Sequence, residues 1–177
     1  AGVPAGVFNV VLGTGPAVGA ALVAAPDVRA VSFTGSGAVG AQVAATAARR
    51  NIRYQTEMGG KNVAIVLPDA DLRQAAALTA AREMRHADQK CTATSRAVVA
   101  REVADAFHDE LRRQVAALSL GPVTDPSSAV GPVISEQSRD SIRAALEGFD
   151  AEILVGVPYP PELANGYFAA PTLVRDV

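Results

Sequence analysis

An α/β fold is predicted by this sequence, on three observations. Short apolar runs alternate with longer segments of 3.6-residue period, the pattern of βαβ units and a mostly parallel sheet. Ala-rich stretches such as 75–77 and 80–81 favour helix rather than disorder. There is no internal repeat and no low-complexity tract.

Taken in order, Val7–Leu12 reads as a strand entered through a turn at 1–6, and Pro16–Ala25 as a short Ala-rich helix. Val28–Phe33 is a second strand. Gly37–Arg49 is a helix with Val39, Val43 and Ala44 on one side. Arg53–Glu57 and Val63–Leu67 are strands. Asp69–Met84 is a helix, with Asp69 as candidate N-cap and Asp71 adding negative charge to the first turn. Arg96–Ala100 is a strand and Val103–Leu118 an amphipathic helix. A helix from Ser135 to about Phe149, a strand at Ile153–Val155, Pro-rich loops and a last strand at Leu173–Val177 complete the order. A composition shift over 51–60, with Gly59 and Gly60 free to turn, marks a boundary between two lobes. There is no initiator Met, and both ends read as strands cut from their neighbours.

Of the 177 residues, 49% are hydrophobic, enough for a core, and the net charge is −2 from 16 basic and 18 acidic side chains. With no basic run, neither nucleic acid nor an anionic membrane has electrostatic support as a partner. The apolar stretches are broken well short of a membrane span. A single cysteine excludes an internal disulfide and a cysteine-based metal site. His86 and His108 are too few for a metal cluster, and His108 reads as a solvated residue in a polar helix pattern.

Three segments carry chemistry. A lone cysteine is most often a small buried hydrophobe. Cys91, however, follows a polar run and lies between a helix and a strand, in Gln89-Lys90-Cys91-Thr92-Ala93, where reactive groups are displayed; Lys90 beside it favours a thiolate. An arbitrary Glu is most often a solvated turn carboxylate. Glu57, in Glu57-Met58-Gly59-Gly60-Lys61, closes a strand just before two glycines that permit close approach of a ligand. Phe33-Thr34-Gly35-Ser36-Gly37 joins a strand to a helix N-terminus suited to a phosphate, or is an ordinary Ser-capped turn. The glycines at 35, 37 and 40 match a dinucleotide fingerprint by letter only, without its downstream acid. Leu12-Gly13-Thr14-Gly15 is a vaguer turn of the same kind.

In this order and spacing, with 34 residues from Glu57 to Cys91, the three segments resemble the aldehyde dehydrogenase superfamily. Gly166-Tyr167-Phe168-Ala169-Ala170-Pro171-Thr172 matches the strand that the family places ahead of its second cofactor-binding segment, and the similarity runs from Ala1 to Val177. The resemblance implies a partial aldehyde dehydrogenase fold. Residues 1–56 would be the C-terminal part of a Rossmann-like NAD(P)-binding domain, and residues 57–177 the first part of a parallel-sheet catalytic domain. It implies Cys91 as nucleophile, with its N–H in the oxyanion hole, and Glu57 as general base. Phe33, Thr34, Gly35, Ser36, Met58, Gly59 and Gly13 would lie on NAD or NADP. A small aldehyde would be the substrate, a semialdehyde of the 2,5-dioxovalerate type above one of the succinate type. A cytoplasmic homo-oligomer is implied.

Two departures stand out. Asp88 occupies the position three before the cysteine, where the family usually has Gly; its charge is expected to raise the thiol pKa and its side chain to crowd the site. Met84 and Arg85 stand where the family often has aromatic residues. The family's oxyanion Asn and adenosine-ribose segment would precede Ala1, and its nicotinamide-ribose Glu would follow Val177. A non-catalytic remnant acting as a structural or interaction module is therefore the competing reading. A thiol redox protein is disfavoured, because no second cysteine exists to resolve an intermediate.

Overall fold

The computed structural model describes residues 2–148, 150, 152–157 and 159–175. The chain forms two compact units, residues 1–59 and 60–177, so the division falls at Gly59–Gly60.

The first unit is a single βαβ element with a short helical lead. Strand β1 (Ala30–Gly35) pairs in parallel with β2 (Arg53–Met58), in a register running from Ala30↔Arg53 to Gly35↔Met58. Parallel neighbours need a crossover, and helix α2 (Gly37–Arg49) provides it, burying Gly40, Val43 and Ala47 along one stripe. Asn51 ends that helix at φ 52°: its N–H reaches the Ala48 carbonyl, and the Ile52 N–H reaches the Ala47 carbonyl. An Asn in this left-handed position is a common helix stop. Ahead of β1, a π-helical turn (Gly15–Gly19) runs into α1 (Ala20–Ala24). The Arg50 guanidinium closes α1 by donating to the carbonyls of Val23 (2.5 Å), Ala25 (2.6 Å) and Val28 (3.2 Å).

The expected strand Val7–Leu12 does not form. Phe8 and Leu12 are 79% and 88% exposed in an irregular segment. Alternation makes a strand only where a partner completes the ladder, and among the described residues of this unit β1 and β2 pair with each other.

The second unit opens with the same device. β3 (Asn62–Val66) and β4 (Thr94–Val99) are parallel, with a register shift between Asn62 and Val63, and helix α3 (Leu72–Met84) crosses between them. Asp71, not Asp69, caps α3: its carboxylate accepts the Gln74 N–H at 3.0 Å. A turn closed from the Ala70 N–H to the Leu67 carbonyl leaves Asp69 inside the turn, ahead of the capping position. Helix α4 (Ala104–Ala116) lays Phe107, Leu111 and Val115 against Ala76, Ala80 and Met84 of α3, and these residues with Val66 and Phe168 form the core. Helix α5 (Glu136–Glu147) begins at Ser135, whose Oγ accepts the Ser138 N–H. The expected ends at Phe149 and Val177 lie outside the described residues.

The last pair, β5 (Glu152–Gly156) and β6 (Thr172–Arg175), is antiparallel. Among its described residues the segment joining them holds a 3₁₀ turn at Pro161–Leu163 and no crossover helix, so a parallel return has no vehicle. No helix among the described residues is long and apolar enough to cross a membrane.

Candidate active site

In the first unit the sequence motifs meet at one edge. The parallel register sets Thr34 beside Glu57 and Gly35 beside Met58, at the carboxyl ends of β1 and β2. Ser36 follows as N-cap of α2, its Oγ accepting the Val39 N–H at 3.4 Å. Two side chains fill the space under the turn. A Cβ on Gly35 would fall 2.5 Å from the Phe33 ring, and one on Gly40 would fall 2.4 Å from the Met58 sulfur. A larger residue at either place would have to push one of these side chains aside. Gly37 faces open space, and the first N–H groups of a 13-residue helix have no partner inside it. This edge can therefore take an anionic group such as a phosphate. Glu57 is exposed here and accepts a hydrogen bond from Gln55 Nε2 at 3.0 Å. Gly59 follows directly on β2. Gly13 stands apart: it packs against Val18 in the segment before α1, and no described hydrogen bond ties it to the Phe33–Ser36 turn.

In the second unit Cys91 is exposed, on a turn closed by the Ala93 N–H donating to the Lys90 carbonyl at 3.2 Å. The turn is held from two sides. Asn62 Nδ2, at the start of β3, donates to the carbonyls of both Cys91 and Ala93, each at 2.8 Å. Gln89 donates to the His86 carbonyl at 3.0 Å and accepts the Ile134 N–H at 2.8 Å. Neither residue was assigned a role from the sequence, although Gln89 stands inside a quoted motif and Asn62 directly follows one. Immediately upstream, His86, Ala87 and Asp88 all adopt left-handed backbone, with φ of 58°, 51° and 59°.

The comparisons with known proteins follow this geometry. The aldehyde dehydrogenase family model matches residues 1–177. The chain belongs to the aldehyde dehydrogenase family. It is 39% identical to a Staphylococcus aureus protein assigned to the aldehyde dehydrogenases, over 99% of this chain and 38% of that protein. Among solved structures it resembles a Pseudomonas syringae aldehyde dehydrogenase, a cysteine-to-alanine mutant complexed with NAD+ and octanal (TM-score 0.91, 32% identity, 99% of this chain and 37% of that one). It also resembles a methylmalonate-semialdehyde dehydrogenase from Sinorhizobium meliloti complexed with NAD (TM-score 0.83, 36% identity, 89% and 33%). The chain thus spans well under half the length of these relatives.

In this aldehyde dehydrogenase the left-handed triplet includes position 88. A residue at φ 59° fits best as glycine, and this member has Asp. The described electrostatic partners of Asp88 are Glu83 and Lys61. Burial raises the Asp88 pKa, and the Lys61 ammonium opposes that rise. Glu83, in the last turn of α3, is pushed up to about 7, first by burial and then by the Asp88 carboxylate, with Lys61 pulling the other way. Asp88→Gly is expected to raise the melting temperature by relieving about 1 kcal/mol of left-handed strain. It should also lower the Glu83 pKa, read by NMR titration. A variant no more stable than the parent would show that the triplet is unstrained.

His108 departs from its reading as solvated. Its Nδ1 is buried without a hydrogen-bond partner among the described residues, and the ring tilts against Phe107. It lines a cavity of about 710 Å³ with Glu83, Arg96, Arg101 and Asp105. The helical repeat explains the miss: His108 borders the buried Phe107–Leu111–Val115 stripe of α4, a neighbourhood that the polar letters around it conceal.

Proposed function

We propose that this chain is part of an enzyme that oxidises an aldehyde to a carboxylic acid with NAD or NADP. The observation that carries the reading is the display of two motif residues, Glu57 and Cys91, each exposed beside glycine-rich or tightly held backbone in its own unit. The Phe33–Ser36 turn, with Met58 and Gly59, would hold the dinucleotide, its pyrophosphate at the α2 N-terminus. The bound nicotinamide supplies the acceptor for the hydride leaving the substrate carbon.

The chain's own residues would do the rest. The Cys91 thiolate forms an S–C bond to the aldehyde carbonyl, and the carbonyl oxygen takes the negative charge of a thiohemiacetal. The Cys91 N–H, which has no acceptor among the described residues, is a donor for that oxyanion. Loss of the hydride re-forms the C=O bond as a thioester on Cys91. Glu57 takes a proton from a water that attacks the thioester carbon; the S–C bond breaks, and the carboxylic acid and the thiolate leave. The Glu57–Asn62 and Gln89–Arg96 segments resemble those of semialdehyde dehydrogenases, which favours a semialdehyde, and we place the protein in the cytoplasm as a homo-oligomer.

A second reading, a non-catalytic module, is favoured by Asp88 in the left-handed triplet. Two measurements bear on these readings, and the second separates them. Mixed with NAD or NADP and an aldehyde panel, the 177 residues alone should form no NAD(P)H. They span 38% of the Staphylococcus aureus relative, and an oxyanion donor supplied from outside them would be worth a factor of about 10² to 10³. Ribose contacts supplied from outside them would be worth roughly 1–3 kcal/mol each. Cys91 should nevertheless react with iodoacetamide faster than free cysteine at neutral pH. A rate at or below that of free cysteine favours the non-catalytic module. Turnover by the isolated chain, lost in Cys91→Ala, would show that these segments suffice.

A further inference from the structure

We infer that Asn62 is the positioning residue of the nucleophile turn, fixing the backbone around Cys91 so that its N–H and thiol face outward. The inference rests on the reading of Cys91 as nucleophile and adds the group that aims it.

The direction of a side chain and of its own N–H is set by the two peptide planes that flank it. The plane before Cys91 is held by the turn itself, where the Lys90 carbonyl accepts the Ala93 N–H. In a trans peptide the N–H points opposite to the C=O, so this bond turns the Cys91 N–H out of the turn. The plane after Cys91 has no such internal bond. Its carbonyl is taken by Asn62 Nδ2 at 2.8 Å, and the same nitrogen binds the Ala93 carbonyl at 2.8 Å. The Asn amide nitrogen carries two donor hydrogens, and here both have an acceptor. With both planes held, neither backbone angle of Cys91 is free.

Asn62 suits the task because of where it is anchored. It is the first residue of β3, opposite Thr94 of β4, where the register shifts. The donor therefore rides on the sheet, whereas the nucleophile rides on a turn. Backbone at neighbouring Gly60 lies close by, since a Cβ there would be 3.6 Å from the Cys91 carbonyl oxygen.

The test uses the 177-residue chain and three proteins: the parent, Asn62→Ala and Asn62→Asp. Asp keeps the shape of Asn but loses both donors. The readouts are the second-order rate of Cys91 with iodoacetamide at neutral pH and far-UV circular dichroism. In the parent, hydrogen exchange of the Asn62 side-chain amide is measured as well. The expected result is that both variants fall by about tenfold toward free cysteine, the equivalent of roughly one hydrogen bond, with an unchanged fold. In the parent the Asn62 amide protons should exchange more slowly than those of an exposed Asn. A parent rate no faster than free cysteine overturns the nucleophile reading and the role of Asn62 with it. A fast parent matched by Asn62→Asp overturns the Asn62 assignment alone, since shape would then suffice. Should both variants unfold, Asn62 amide protons that exchange like those of free Asn would overturn it from the parent alone.

Discussion

Replacing Cys91 by Ala is expected to abolish aldehyde oxidation in a chimera that completes residues 1–177 with the flanking segments of the Staphylococcus aureus relative. The chimera is needed because the chain spans 38% of that protein. Without the thiolate there is no S–C bond, hence no thiohemiacetal from which a hydride can leave. The loss should be on the order of 10⁴-fold or more. Glu57→Gln should fail differently. The thioester forms before the proposed base is needed, so one equivalent of NAD(P)H should appear in a burst. Steady turnover should then slow by about 10² to 10⁴. Mass spectrometry of the quenched Glu57→Gln protein should find the acyl group on Cys91. A Glu57→Gln chimera with normal steady turnover would remove Glu57 from the mechanism. Turnover retained by Cys91→Ala would remove the covalent route altogether.

Much of the fold was legible because the relevant signals are local. Ser36 and Ser135 announce their helices by capping them, and the apolar stripe at 107, 111 and 115 has a helical period. The carboxyl-edge grouping of Thr34, Gly35, Glu57 and Met58 also follows once β1 and β2 are taken as parallel neighbours. What the sequence hid depends on partners far away along the chain. Val7–Leu12 has the letters of a strand, but letters do not say whether a neighbour is present. The antiparallel β5–β6 pair depends on a connection without a helix. Asn62 reaches across 29 residues to the Cys91 carbonyl, and nothing in a run of letters marks an amide that points at a backbone oxygen. The left-handed triplet is hidden likewise: His and Asp enter positive φ more readily than most residues, but Ala does not, and no glycine marks the turn.

Glu83→Gln is expected to stabilise the protein above neutral pH and to leave it unchanged in mild acid. Glu83 is largely buried, with Asp88 as a like charge, so folding favours its protonated form. The folded pKa of about 7 exceeds the ordinary value of 4.5. A raised pKa means that the folded chain binds the proton more tightly than the unfolded chain. The resulting stability is complete below pH 4.5, fades as pH rises through the interval, and is gone above about pH 7. A shift of this size is worth about 3 kcal/mol. Water entering the cavity that Glu83 lines screens part of it, so about 2 kcal/mol is the expected swing. Gln carries no charge at any of these pH values and keeps the shape. Urea midpoints of parent and variant should therefore coincide near the lower limit and separate steadily toward the upper one. Adding Asp88→Gly to the parent should narrow that separation, because one of the two causes is removed. Midpoints that stay parallel across the whole interval would mean that Glu83 is ionised in the folded state throughout, with Lys61 rather than burial governing its charge.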